Sequence, residues 1–156
     1  MFDLLENFWK WAEITSEEYA KTGIDQLSEK AEFYYPYFEG LLEYAQRIVD
    51  QSESSIEDLN NALTIMGLDN EDESILQYIT DYCSETKLHD IIDVGLTHMQ
   101  PEARWQIAEL IYRRKPKGYR DYLLRLSKDD HHYVRKRATN AITYLNEEGF
   151  WNTSDC

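Results

Sequence analysis

The run KDDHHYVRKRATNAITYL, from Lys128 to Leu145, holds side chains that could do three kinds of chemistry. Asp129 and Asp130 with His131 and His132 could bind a metal ion. The cations Lys128, Arg135, Lys136 and Arg137 could grip a phosphate backbone, and the same letters could simply open a buried helix. Spacing separates these readings. Adjacent histidines at a helix start diverge by roughly 100°, whereas two helical ligands of one metal stand three or four residues apart. A helix accounts for most of the letters: Val134, Ala138, Ala141, Ile142 and Leu145 make one apolar stripe. Asp129 and Asp130 precede its first turn, where carboxylates cap free amides and oppose the helix dipole. Only the basic trio Arg135, Lys136 and Arg137 is left over.

The other candidate groups support catalysis less well. His89 beside Asp90 and the lone His98 read as surface histidines, and Cys83 falls on an apolar stripe where an inert core thiol fits. The chain has no glycine-rich phosphate loop, serine elbow, paired-cysteine motif or His-Glu metal helix. With 30 acidic residues, neighbouring carboxylates arise by chance, and nothing singles out an acid and a base. The expectation is a protein that is not an enzyme, with no catalytic residue, no metal and no cofactor.

Composition sets the frame for these groups. A chain of 156 residues, 42% of them apolar, can bury one good core, so a single domain is expected over residues 1–156. The net charge of −14 argues against general attraction to nucleic acid or anionic lipid and favours either a soluble protein whose acidity merely solubilises it or one with a basic partner. The opening MFDLLENFWKW is amphipathic and acidic, unlike a secretory leader, and no run approaches 18 apolar residues. Two cysteines far apart, Cys83 and Cys156, suit a reducing compartment. A cytoplasmic location and no membrane contact are therefore expected.

Apolar residues recur with helical period along nearly the whole chain, predicting an all-α fold of eight or nine helices. Phe2, Leu5, Trp9 and Ala12 mark a first helix. Thr15 with Glu18 forms a capping box for a second, which carries Ala20, Ile24, Leu27 and Ala31 and ends at Pro36. A third runs from about Tyr37 with Leu41, Ala45, Ile48 and Val49, and a fourth opens at Ser55 and stops at Gly67. The fifth begins after an Asn70 cap supported by Glu73 and buries Ile75, Leu76, Ile79 and Cys83. The sixth holds Leu88, Ile91, Ile92 and Gly95. Pro101 starts the seventh, which turns Ala103, Ile107, Leu110 and Ile111 inward. The eighth is Tyr119 to Ser127, and the Lys128–Leu145 run is the ninth. In EFYYPYFEG, Phe33, Tyr34 and Phe38 are expected in the core, with Tyr35 and Tyr37 exposed.

Sliding the chain by 31 residues lays Leu88 to Ile111 on Tyr119 to Ile142, pairing Asp90 with Asp121, Ala103 with Val134, Arg104 with Arg135 and Ile107 with Ala138. A fixed period of helix pairs is the mark of an α-solenoid. DDHHYVRKRATNAI resembles the HEAT-repeat family, in which an acidic turn is followed by Val-Arg, two variable residues and Ala, here Val134, Arg135 and Ala138. The resemblance implies antiparallel helix pairs over residues 55–147, divergent helices over 1–54 and a tail over 148–156. It also implies that Arg104 and Arg135 brace the stack. The earlier unit departs from the pattern in having HMQ at His98 to Gln100 instead of an acidic turn.

Charge is divided along the chain: residues 1–99 hold 22 acidic and 5 basic side chains, a net of −17, and residues 100–156 hold 8 acidic and 11 basic, a net of +3. The basic end, with Arg113, Arg114, Lys115, Lys117, Arg120 and Arg125, resembles the groove of helical-repeat DNA-repair glycosylases, but the acidic majority would repel most of a polyanion. Between Asp50 and Asp93, twelve carboxylates face the single cation Lys87. The partner-binding set drawn from this stretch is Asp69, Glu71, Asp72, Glu73, Asp81, Asp90 and Asp93 as charged groups, with Tyr78 and Tyr82 as aromatic anchors. By general type the chain resembles bacterial toxin-immunity proteins, which implies inhibition of a basic nuclease toxin by occlusion of its active site. Two alternatives stand beside it: a HEAT-type adaptor for another cellular protein, and, third in order, a nucleic-acid-binding repair protein.

Overall fold

The computed structural model describes residues 3–22 and 35–151. Within them the chain forms nine helices and no strand: α1 (Leu4–Ala12), α2 (Ser16–Thr22), α3 (Phe38–Asp50), α4 (Ile56–Leu68), α5 (Ser74–Tyr82), α6 (Glu85–Gly95), α7 (Pro101–Arg114), α8 (Tyr119–Leu126) and α9 (His132–Glu147). The predicted Ile24, Leu27, Ala31, Phe33 and Tyr34 lie outside the described residues.

Local chemistry starts these helices as expected at several points. Thr15 Oγ1 accepts the Glu18 amide at 3.1 Å while the Glu18 carboxylate accepts the Thr15 amide at 2.9 Å, both halves of a capping box. Ser55 caps α4 through the Asp58 amide, and Pro101 occupies the first turn of α7. Ser84, a cap not among those expected from the sequence, starts α6 through the Lys87 amide. The cap of α5 differs from expectation. Asn70 donates to the Gly67 carbonyl instead, and Glu73 sits in the left-handed region with no capping bond. The helix is held by the Asp69 carboxylate, which accepts the Ser74 hydroxyl at 2.6 Å and the Ile75 amide at 3.0 Å.

The core follows the predicted stripes. Ala103, Ile107, Leu110 and Ile111 of α7 are fully buried, as are Val134, Ala138 and Leu145 of α9. Helices α4, α7 and α9 pack in series; α6 lies against α4 and α7, α8 against α7 and α9, α3 against α4, and α5 against α3 and α7. The expected break at residue 54/55 therefore falls between two helices that pack on each other. Two glycines owe their place to this packing. A Cβ on Gly95 would lie 2.5 Å from Ile107 Cγ1, and one on Gly67 would lie 2.5 Å from Gln100 Oε1. Gly67 is thus a close-approach residue inside α4, which runs on to Leu68, and not its stop signal. Tyr35 also departs from expectation: its ring packs 5.2 Å from both Phe8 and Trp11 and is buried, leaving Tyr37 exposed.

The 31-residue offset recurs in the hydrogen bonds. Asp129 Oδ1 accepts the amide of His131, and His98 Nδ1 accepts the amide of Gln100, 31 residues earlier. Arg135 Nη1 donates to the carbonyls of Asp129 and Asp130, and Arg104 Nη1 donates to those of His98 and Met99. His98 therefore does the work of the missing acidic side chain, as a neutral acceptor. Its Nε2 lies 3.1 Å from the Thr64 hydroxyl, so one imidazole joins the α6–α7 turn to α4. Burial pushes the His98 pKa down to about 4, with the Arg104 charge acting in the same direction.

Candidate protein-binding face

On α5, Gln77, Tyr78, Asp81 and Tyr82 are spaced to share one side of the helix. Tyr78 and Tyr82 are in ring contact, tilted by 49° with centroids 4.9 Å apart, and Tyr82 remains 70% exposed. The Tyr78 hydroxyl donates to the carboxylate of Asp50, at 2.8 and 2.9 Å, across 28 residues of sequence. That bond raises the Tyr78 phenol above its ordinary value and fixes the ring's direction. Gln77 Nε2 donates to both oxygens of Asp81 at 2.9 Å. The result is a pair of oriented tyrosines flanked by two exposed carboxylates, Asp50 from α3 and Asp81 from α5.

The remaining members of the sequence-derived set divide. Glu71 and Asp72 are exposed in the α4–α5 turn, and Asp90 and Asp93 are exposed on α6, where the Asp93 charge, after burial, raises the Tyr122 phenol. Two members are reassigned. Asp69 is only 5% exposed, and its carboxylate is turned inward to cap α5. Burial, outweighing those bonds, raises its pKa. Glu73 is half-buried, and its carboxylate lies 3.4 Å from Arg137, which also lies 3.7 Å from Glu109. Asp69 finds its partners locally, five and six residues on in the α4–α5 turn, whereas the partner of Glu73 is brought by tertiary packing from 64 residues away.

The most telling observation concerns the one cation of the stretch. Lys87 is 3% exposed and its Nζ donates to Ser54 Oγ at 2.5 Å, so between Asp50 and Asp93 no lysine or arginine reaches the surface. Nine carboxylates of that stretch are exposed: Asp50, Glu53, Glu57, Glu71, Asp72, Asp81, Glu85, Asp90 and Asp93. Their field is uncancelled by the segment's own residues. Cations from α7 and α9 do reach it, Arg113 at Gln77, Arg114 at Glu85 and Arg137 at Glu73. Arg114 donates to the carbonyls of Ile79, Thr80 and Cys83 and to Glu85, closing the C-terminal end of α5. Arg113 donates to Gln77 and Glu109. Arg113, Arg114 and Arg120, three of the six cations marked as a possible nucleic-acid grip, therefore make hydrogen bonds within the protein.

No family model matches the chain, and no curated protein or solved structure matches it either. The site is thus read from its own geometry. Among the described residues no three His, Cys, Asp or Glu side chains cluster as metal ligands. His131 and His132 stack at 4.8 Å, and His131 is occupied as the cap of α9, its Nδ1 accepting the Tyr133 amide. Cys83 is buried, which pushes its thiol up to about 11 and leaves it a poor nucleophile at neutral pH. No helix among the described residues is long and apolar enough to cross a membrane. What the face can do is attract cationic groups over a distance and bind them against oriented tyrosines.

Proposed function

We propose that this chain is an immunity-type inhibitor that binds a basic nuclease toxin and covers its substrate cleft. The observation that carries the reading is the burial of Lys87 within a stretch of exposed carboxylates that includes the contacting pair Tyr78 and Tyr82. A nuclease cleft presents lysines and arginines to phosphate, and a surface of carboxylates offers those cations a substitute for the nucleic-acid backbone. In this reading Asp50, Asp81, Glu71, Asp72, Asp90 and Asp93 steer the encounter. Tyr78 and Tyr82 anchor the bound state, because oriented amphipathic rings lose little freedom on binding. The scaffold is read as a short HEAT-like solenoid in which α6–α7 and α8–α9 are successive pairs. The repeated arginine bonds at the 31-residue offset and the serial packing of α4, α7 and α9 support it.

The test is inhibition of the nuclease activity of any basic protein that a gene beside this one encodes. One equivalent of inhibitor should abolish cleavage. Binding without inhibition would favour the adaptor reading, and tighter binding to DNA than to that protein would favour the repair reading.

A further inference from the structure

A groove separate from the tyrosine face opens between α1, α2 and α4, with a volume of about 580 Å³. Trp9, Ile14 and Met99 give it an apolar lining, and Met99 is 47% exposed there. Asp3, Glu6, Glu13, Glu17 and Glu18 also line it, against one cation, Lys10, whose Nζ lies 2.8 Å from Glu6. Several of these carboxylates are held in place by the helix ends themselves. Asp3 accepts the Glu6 amide, Glu18 closes the capping box with Thr15, and Glu17 accepts the Ser16 hydroxyl. An apolar lining, part-buried at Trp9 and Ile14 and exposed at Met99, with five carboxylates and one lysine around it, selects for a cationic occupant that also carries an apolar group.

We propose that this groove takes an extended segment of a cationic protein, with an apolar side chain against Trp9, Ile14 and Met99 and flanking lysines or arginines at Glu6, Glu17 and Glu18. The proposal deepens the function proposed above and rests on it only in taking a basic protein as the partner. Charge complementarity names the occupant. A neutral hydrophobic segment would bury the carboxylates without compensation, and a polycation lacking an apolar residue would leave the Trp9–Met99 lining wet.

The test is fluorescence anisotropy of a fluorescein-labelled decapeptide of lysine and arginine with two central leucines, at roughly physiological salt. Wild-type protein should bind it, and the double variant Glu6→Lys, Glu17→Lys should bind about tenfold more weakly or worse. The double variant Asp121→Lys, Glu147→Lys, altered on α8 and α9 away from both the groove and the tyrosine face, should bind it as wild type does. A counterpart peptide with serines in place of leucines should lose about tenfold in affinity. All four substituted side chains are exposed, and unchanged circular dichroism verifies that the variants fold. No binding of the leucine peptide, equal weakening in both double variants, or equal affinity for the serine peptide overturns the groove proposal. Those outcomes leave the toxin reading intact, because nuclease inhibition decides it. Conversely, failure to inhibit the nuclease with peptide binding intact removes the toxin reading and keeps the groove.

Discussion

Arg104 and Arg135 occupy equivalent positions 31 residues apart, yet the structure predicts that their removal has unequal consequences. Arg104 donates through Nη1 to the carbonyls of His98 and Met99, and through Nε and Nη2 to both oxygens of Asp129 at 2.9 and 3.0 Å. The two side chains are 11% and 10% exposed. Burial alone would raise the Asp129 pKa, but bonds from Arg104 and the His131 amide bring it below its ordinary value. Removing one partner of a buried pair costs about 3–5 kcal/mol. Because Asp129 keeps the His131 amide, Arg104→Ala should fall at the low end, about 3 kcal/mol. The additional contact to Asp130, whose side chain is 94% exposed, adds little. Arg135 is exposed and makes only the two carbonyl bonds, so Arg135→Ala should cost about 1 kcal/mol. For a chain of this size each kcal/mol moves Tm by about 2–4 °C, giving losses of about 6–12 °C and about 2–4 °C. Arg104→Lys should rescue little, since an ammonium cannot make the paired bonds. Thermal unfolding followed by circular dichroism measures all three variants. Equal losses for Arg104→Ala and Arg135→Ala, or full rescue by lysine, would refute the reasoning.

Further expectations concern buried ionisable groups and the acidic face. Burial raises the Glu102 pKa, so folding favours its protonated form; that stability is present below the ordinary value of 4.5 and is lost as pH rises through the folded value. Glu102→Gln should therefore raise Tm at neutral pH and change it little in acid; a lower Tm at neutral pH would contradict this. His98 has the opposite sign: with its pKa pushed down to about 4, stability should fall by up to about 3 kcal/mol as pH drops from 6.5 toward that value. His98→Asn, which keeps an acceptor for the Gln100 amide, should remove most of this fall in denaturant titrations across that range. Reversing Glu71, Asp72 and Asp81 to Lys should slow association with the basic partner and flatten its salt dependence, while Tyr82→Ala should mainly speed dissociation. Glu73 belongs outside that set, because a lysine there would stand beside Arg137 and would lower Tm.

Much of the fold was legible because one-dimensional spacing carries it. The apolar stripes of α7 and α9, the Thr15–Glu18 box and the Ser55 cap are local patterns, and each recurs in the structure. The equivalence of Arg104 and Arg135 was visible as a 31-residue offset, although His98 concealed it by replacing an acidic side chain with an imidazole acceptor. Contacts made across long sequence separations left no such trace. The Asp50–Tyr78 bond, the Arg137–Glu73 pair and the closure of α5 by Arg114 span 28 to 64 residues. Asp69 was assigned to the surface because a carboxylate in an acidic run is usually solvated, whereas the turn after α4 directs it to the free amides of α5. Lys87 is the single cation among twelve carboxylates of the stretch, and its burial makes the face more uniformly acidic than the letters suggest.

The measurement closest to the central claim is the association rate of the wild-type chain with any basic protein that a gene beside its own encodes, by surface plasmon resonance at two ionic strengths. The exposed carboxylates between Asp50 and Asp93, with Lys87 buried among them, predict association that slows by about tenfold or more between low and physiological salt while dissociation changes little. Association that is insensitive to salt, or tighter binding to nucleic acid than to that protein, would contradict the account.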